Sequence, residues 1–168
     1  MNRRTVLRVS ALALGSLPGS VFAQGTSLKE IVVGTWLISS TFDRYADGQN
    51  LNPWGDGVKG TFTFDNHGRF TQIFIGEIQP AMKSDDPRRP DALALAFIGT
   101  YSVNEGDKVI SVRNERATNS IRDHAEQKWT VTAFRADAMT LVGATPRKDL
   151  QGTFFAHVEL KRAKQARA

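Results

Sequence analysis

Most of this 168-residue sequence consists of short segments in which apolar and polar residues alternate, each followed by a turn signal. Alternation with a period of two places successive side chains on opposite faces of a β-strand. No segment between them reads as a crossover helix, so strands that follow one another must pair antiparallel through hairpins. The pattern predicts eight strands, over residues 31–42, 58–64, 69–78, 93–103, 108–114, 125–134, 139–144 and 153–161.

Eight consecutive antiparallel strands leave two unpaired edges unless the sheet closes on itself. We therefore predict an all-β fold, an eight-stranded antiparallel up-and-down barrel, within a domain that spans residues 24–168. Ser27 and Glu30 have capping-box spacing and predict one helical turn before the first strand. Four of the last eight residues are basic, which is typical of a short solvated tail.

The first 23 residues have the layout of an export signal. A basic head with Arg3, Arg4 and Arg8 precedes a modestly apolar stretch, and Val21-Phe22-Ala23 offers a cleavage site before Gln24. The paired arginines resemble a twin-arginine signal, with an ordinary secretory signal or an uncleaved anchor as alternatives. We expect a periplasmic or secreted bacterial protein with no integral membrane segment after cleavage. Removal of three arginines lowers the formal net charge from +5 to +2, which argues against a nucleic-acid surface.

The sequence offers few groups for catalysis or metal binding. It has no cysteine, which excludes disulfides, thiolate metal sites and thiol nucleophiles. His67 is placed in a turn, His124 beside a loop and His157 on an outward strand face, so no haem or metal site is predicted. A surface metal at His124 and Glu126 is the alternative, because these two share a strand face. The sequence also lacks a Gly-x-Ser-x-Gly elbow and a glycine-rich phosphate loop, and we predict no catalytic residue and no cofactor.

The alternation also predicts which side chains point into the barrel. On the first strand Trp36, Ile38 and Phe42 share one face, and Phe74 points inward if Gln72 does. Inward side chains of a small barrel either fill a solid core or line a cavity for one ligand. Buried amides need hydrogen-bond partners, which a ligand can supply, and this favours the cavity. The candidate ligand contacts are Phe62, Phe64, Phe74, Phe97, Tyr101, Asn114, Gln127, Trp129 and Phe154.

Four short motifs follow one another in the first half of the domain. They are Val33-Gly34-Thr35-Trp36, Asp47-Gly48, Asn52-Pro53-Trp54-Gly55 and Asp65-Asn66-His67-Gly68-Arg69. In this order they resemble the bacterial lipocalin-like domains, over residues 28–162. The resemblance implies a barrel in which Trp36, two residues after Gly34, packs in the closed end with Arg162 of the last strand across its ring. An arginine plane over an indole is attractive through cation–π and stacking interactions, so these three residues would serve the fold.

Two strands depart from relatives that carry a histidine pair in the fifth strand and a Gln-x-Arg in the sixth. Here the fifth strand has no histidine, and the sixth reads Gln127-Lys128-Trp129. The resemblance therefore implies no function that needs those histidines.

The combined features favour an exported, non-catalytic protein that binds a small apolar or amphipathic molecule inside the barrel. Tyr101, Asn114 and Gln127 would orient the polar end of that ligand. Residues 79–91, which contain three prolines, are expected to form a rim or lid. Two alternatives stay open: a barrel enzyme of isomerase or cyclase type acting on a small apolar compound, and a solid barrel that serves as an interaction module.

Overall fold

The computed structural model describes residues 27–78, residue 86 and residues 92–164. The predicted export signal and nearly all of the predicted rim at residues 79–91 lie outside the described residues. A 3₁₀ turn at Ser120–Arg122 interrupts an otherwise β-rich chain. The other elements are α1 Leu28–Val32, β1 Gly34–Tyr45, β2 Asn50–Leu51, β3 Lys59–Phe64, β4 Arg69–Ile78, β5 Ala92–Asn104, β6 Val109–Ala117, β7 Glu126–Phe134, β8 Ala138–Gly143, β9 Arg147–Lys148 and β10 Thr153–Arg162.

Eight of these strands form a closed antiparallel barrel in the order β1-β3-β4-β5-β6-β7-β8-β10. The barrel closes where β10 pairs with β1, from Trp36 opposite Arg162 to Tyr45 opposite Phe154. The two-residue strands β2 and β9 extend the rim by pairing with β1 and β10. Each predicted strand corresponds to one barrel strand, and the predicted eight-stranded up-and-down barrel is confirmed.

Local sequence signals determine where the chain starts its helix and turns between strands. The Ser27 hydroxyl accepts the Glu30 N–H at 3.2 Å and the Glu30 carboxylate accepts the Ser27 N–H at 2.9 Å, which completes the predicted capping box. Between β3 and β4, the Asp65 carboxylate accepts the backbone N–H of Arg69 at 2.7 Å. Gly68 has a φ of +80° in this turn, a conformation that favours glycine.

A β-bulge changes the inward face of β1. The register against β10 shifts between Ile38 and Ser40, so the alternation restarts after this point. Phe42 consequently turns outward and stacks on His157, with ring centroids 4.7 Å apart. The prediction that Phe42 points inward is wrong, because one extra residue inverts every later position of a strand. The interior positions of β1 beyond the bulge are Thr41, Asp43 and Tyr45.

One end of the barrel is sealed by α1 together with Trp36 and Arg162. Trp36 is fully buried, and its Nε1 donates to the carbonyl of Val32 at 2.8 Å. The guanidinium carbon of Arg162 lies 4.2 Å from the centre of the Trp36 ring. All three guanidinium nitrogens donate to backbone carbonyls, those of Ile31, Val33 and Ala136. We call this end of the barrel the closed end.

Gly34 is required for this packing. Its φ of +131° lies in a region that residues with a side chain rarely adopt. A Cβ at this position would also lie only 2.7 Å from Nη1 of Arg162. The glycine, the tryptophan and the arginine therefore form one structural unit.

Apolar side chains fill the barrel interior from the closed end. Phe62, Phe64, Ile110, Leu141 and Leu160 are each at most 1% exposed, which is typical of a well-packed core. Toward the opposite end, which we call the open end, the filling is incomplete and a cavity remains.

In the described part of the chain, no helix combines the length and apolar character needed to span a bilayer.

Candidate functional site

The cavity at the open end has a volume of about 240 Å³. An engineered protein cavity of ~150 Å³ holds one benzene, so this cavity has room for a small molecule with one or two rings. Much of its wall is apolar, formed by Trp54, Phe74, Leu95, Phe97, Trp129 and Phe154 among others. The polar side chains that line it are Thr41, Asp43, Gln72, Asn119, Arg122, Gln127 and Arg147.

Three buried polar atoms belong to side chains that line this cavity. They are Oε1 of Gln72, Nε2 of Gln127 and Nε1 of Trp129, and none has a hydrogen-bond partner among the described residues. The three side chains are 2%, 8% and 3% exposed, so bulk water does not solvate them freely. A buried polar group without a partner costs about 1–3 kcal/mol, and such groups are rare in folded proteins. The cavity lining therefore includes two side chains with an unpartnered N–H donor and one with an unpartnered acceptor.

Charged side chains also reach the cavity. Burial raises the pKa of the Asp43 carboxyl to about 6, although the nearby Arg147 opposes the shift. Burial and the repulsion from Arg122 lower the pKa of Arg147, while Asp43 acts in the opposite direction. Within the described residues, neither arginine forms a side-chain ion pair. Two cations and one titrating carboxyl thus share the open end.

Short elements at the rim place the two arginines. Arg147 lies on β9, where it is paired with Phe154 of β10, and its guanidinium carbon is 5.9 Å from the centre of the Trp129 ring. Arg122 ends the 3₁₀ turn, which begins where the Asn119 side chain accepts the backbone N–H of Ile121. The same turn is tied to β6 because the Asn114 side chain donates to the carbonyl of Arg122 at 2.9 Å.

An indole forms another part of the rim. The Asn52 side chain accepts the Trp54 N–H at 3.1 Å and donates to the carbonyl of Gly55 at 2.8 Å, which shapes a tight turn. The Trp54 ring stacks on Phe74 with centroids 5.2 Å apart. The backbone carbonyl of Trp54 accepts the backbone N–H of Glu77 at 2.8 Å, and this bond attaches the turn to β4. The Asn-Pro-Trp-Gly motif thus supplies an apolar wall.

The structure brings five of the nine candidate ligand contacts to the cavity and leaves four away from it. The five are Phe74, Phe97, Gln127, Trp129 and Phe154. Phe62 is not part of the cavity lining. Its ring makes edge contacts with the rings of Phe74 and Trp129, which do line it, with centroid distances of 5.6 and 6.2 Å. The other three are Phe64, Tyr101 and Asn114, and none of them is part of the cavity lining.

These three side chains have structural contacts of their own. Phe64 and Tyr101 pack edge to face at 4.9 Å below the cavity. The Tyr101 hydroxyl donates to the carbonyl of Asp65 at 2.6 Å, and Asn114 holds the 3₁₀ turn. Their inward direction agrees with the sequence alternation, but their depth along the barrel axis separates them from the cavity.

Sequence reasoning missed several lining side chains. Asp43 follows the β1 bulge, which no alternation pattern reveals. Arg122 and Arg147 lie on elements of three and two residues, which are too short to show a period. Among the polar side chains that were missed, Gln72 had a readable signal, because it shares a strand face with Phe74.

The described residues contain no group of three or more histidine, aspartate or glutamate side chains arranged to hold a metal ion. The cavity combines an apolar wall, unpartnered donors and two cationic groups, which is the composition of a small-molecule site rather than of a closed core.

No protein-family model and no curated protein matches this chain. Among solved structures, it is similar to a de novo designed fluorescence-activating β-barrel, at 15% identity and a TM-score of 0.43, over 83% of this chain and all of the other. It is also similar to bovine odorant binding protein in complex with a selenium-containing odorant, at 9% identity and a TM-score of 0.44, over 85% of this chain and 77% of the other. A redesigned β-barrel matches at 14% identity with a TM-score of 0.43, over 83% of this chain and all of the other. These likenesses concern the fold alone.

Proposed function

We propose that this protein binds a small, mostly apolar molecule in the cavity at the open end. The observation that carries the proposal is the set of unpartnered polar atoms on Gln72, Gln127 and Trp129 around that cavity. A ligand with polar groups would offer hydrogen-bond partners to these side chains while its apolar part lies against the aromatic wall. Burial of apolar ligand surface contributes about 25 cal/mol per Å², which is the main driving force for such binding.

The cavity argues against the alternative of a solid barrel that serves as an interaction module. A solid barrel would have its interior filled by side chains, whereas here a volume of about 240 Å³ stays open beside the aromatic wall, which supports a binding site. The proposed function extends to place as well: the signal-like residues 1–23 support a lipocalin-like binding protein that is exported to the periplasm or beyond.

The first test is native mass spectrometry of protein purified without denaturant from its export compartment, followed by solvent extraction. We expect a co-purifying small molecule. The second test titrates the purified protein with naphthalene-2-sulfonamide, a neutral two-ring probe, and follows binding by calorimetry. We expect saturable binding at one site, because the probe offers both a donor and an acceptor to the amides at the cavity.

The matched variants are Gln127→Ala, which removes a cavity amide, and Gln49→Ala, which removes an exposed one. Gln127→Ala should lower the affinity for the probe about tenfold, a loss typical of one buried hydrogen bond and its contacts, while Gln49→Ala should leave it unchanged. An empty protein that binds neither this probe nor its sulfonate analogue would contradict the proposed function.

A further inference from the structure

The two guanidinium groups at the open end are the part of the cavity that an apolar ligand leaves unexplained. Arg122 and Arg147 come from different elements and line the same cavity. Together with Gln127 they also line an adjoining recess on its outer side, where Lys128 and Glu126 are the other charged residues. These three side chains are therefore grouped at one point of the mouth.

Arg147 is partly buried and lacks the contacts that normally accompany a cation withdrawn from water. In the described part of the chain its side chain makes no hydrogen bond and no ion pair, and its one aromatic contact is the distant Trp129 ring. The positive charge of Arg122 repels the Arg147 guanidinium. The Asp43 carboxyl attracts it, although the two groups are too far apart to form an ion pair. Removing a guanidinium from water is costly unless an opposite charge and hydrogen bonds replace the water.

The side chains with unpartnered donors line the same cavity as the two arginines. Nε2 of Gln127 and Nε1 of Trp129 are buried N–H groups with no acceptor among the described residues. An ionised oxyacid group has only acceptors, and guanidinium groups bind it with planar, paired hydrogen bonds. An anionic group in the cavity would therefore neutralise the cations and bring acceptors to a lining that has unpartnered donors.

We infer that the ligand is an amphipathic acid, with its carboxylate or sulfonate held between Arg147 and Arg122 and its apolar part against the aromatic wall. This inference rests on the proposed function, because it specifies the ligand class of the same cavity. Among the described residues, Asp43 is the one carboxyl in the cavity lining, and the two arginines there outnumber it. Asp149, the next carboxyl near Asp43, accepts the Tyr45 hydroxyl at 2.6 Å.

The test compares naphthalene-2-sulfonate with naphthalene-2-sulfonamide, two probes of nearly equal shape that differ in charge. Calorimetric titration at pH 7.5 and low salt should show the sulfonate binding about tenfold or more tightly, because charge-assisted hydrogen bonds are roughly twice as strong as neutral ones. Added salt should weaken the sulfonate more than the sulfonamide. Equal affinity for both probes would overturn the inference and leave the proposed function intact.

Variants assign the preference to residues. Arg147→Gln should weaken the sulfonate about tenfold while the sulfonamide changes less than twofold, and Arg122→Gln should act in the same direction. Arg147→Lys keeps the charge and should retain part of the preference, which also covers the case in which the glutamine variant folds poorly. Arg135→Gln removes an exposed arginine outside the cavity and should change neither affinity. An equal loss for both probes in Arg147→Gln would mean a role in shape alone and would contradict the inference.

Discussion

Each end of the barrel contains an arginine near a buried tryptophan, and the two pairs differ in every other respect. At the closed end, Arg162 lies 4.2 Å from the centre of the Trp36 ring and makes three hydrogen bonds to backbone carbonyls. At the open end, Arg147 lies 5.9 Å from the centre of the Trp129 ring and makes none among the described residues. The Trp36 indole N–H is bonded to the carbonyl of Val32, while that of Trp129 has no partner there.

The difference separates a structural use of these residues from a binding use. A partly buried cation that is fully hydrogen-bonded stabilises the fold, and its removal leaves its acceptors unpaired. A partly buried cation without such partners contributes little to stability, and it is free to bind another molecule that supplies the contacts. The type of residue is therefore uninformative by itself, and the hydrogen bonds around it decide its role.

Substitution of the closed-end tryptophan should have the largest effect. Trp36→Ala empties a fully buried site and removes the surface under Arg162, and it should lower the free energy of unfolding by about 3–5 kcal/mol. Urea denaturation followed by circular dichroism measures this. Leu150→Ala changes a fully exposed side chain and serves as the control, with no expected effect. A loss below about 1 kcal/mol for Trp36→Ala would show that the closed end contributes little.

The two arginines should respond in opposite ways to the same replacement. Arg162→Met keeps much of the apolar stem but leaves the carbonyls of Ile31, Val33 and Ala136 unpaired, and it should cost about 2–3 kcal/mol. Arg147→Met removes an unpaired cation and should be neutral or stabilising by about 1 kcal/mol. Both variants are compared in the same urea titration. Equal losses for the two would erase the distinction between the two ends.

The sequence was sufficient for the barrel because strand alternation and turn residues are local patterns, whereas the packing of Arg162 across Trp36 at the closed end was implied by the resemblance to lipocalin-like domains. Strand alternation and turn residues define the eight strands, and Gly34 and Trp36 stand two residues apart in an unbroken part of β1. Arg162 shares a face with Leu160 because β10 alternates without interruption in that stretch. In such strands a residue's parity predicts its direction.

The open end was only partly predictable, for identifiable physical reasons. The bulge after Ile38 depends on how β1 fits β10, which is a property of two strands rather than of one sequence segment. Arg147 points into the cavity because β9 pairs with β10, although β9 itself has only two residues. The separation of Phe64 and Tyr101 from the cavity depends on depth along the barrel axis, which alternation does not encode.

The Asp43 carboxyl should make the open end a source of pH-dependent instability. Its pKa is about 6 in the folded protein against 3.8 for the unperturbed group, chiefly because of burial. The folded state therefore holds a proton more tightly than the unfolded state, so stability falls as the pH rises from about 4 to about 6. Asp43→Asn removes this penalty and should raise the free energy of unfolding at pH 7.5 by about 1 kcal/mol, after discounting the shift for a half-exposed group.

Urea titrations of the wild type and Asp43→Asn at pH 4 and pH 7.5 measure this difference. The advantage of the variant should vanish at the lower pH, where the wild-type carboxyl is protonated. Asp47→Asn, at an exposed position of the loop after β1, is the matched control and should show no such pH dependence. An advantage that is the same at both values would mean that the Asp43→Asn substitution acts through packing rather than through charge.

The smallest change in the free energy of unfolding is expected at the buried amide of Gln72. Gln72→Leu replaces a side chain with an unpartnered buried oxygen by an apolar one of similar size, and it should leave stability unchanged or raise it by about 0.5–1 kcal/mol. Asn114→Leu, at an equally buried position, also removes an unpartnered oxygen, but it breaks the Nδ2 bond to the carbonyl of Arg122 and should cost about 1 kcal/mol. Gln72→Leu should nevertheless weaken binding of naphthalene-2-sulfonamide, since the amide oxygen then no longer accepts from the probe. A large loss of stability in Gln72→Leu with unchanged binding would assign this amide to the fold and reduce the contrast between the two ends.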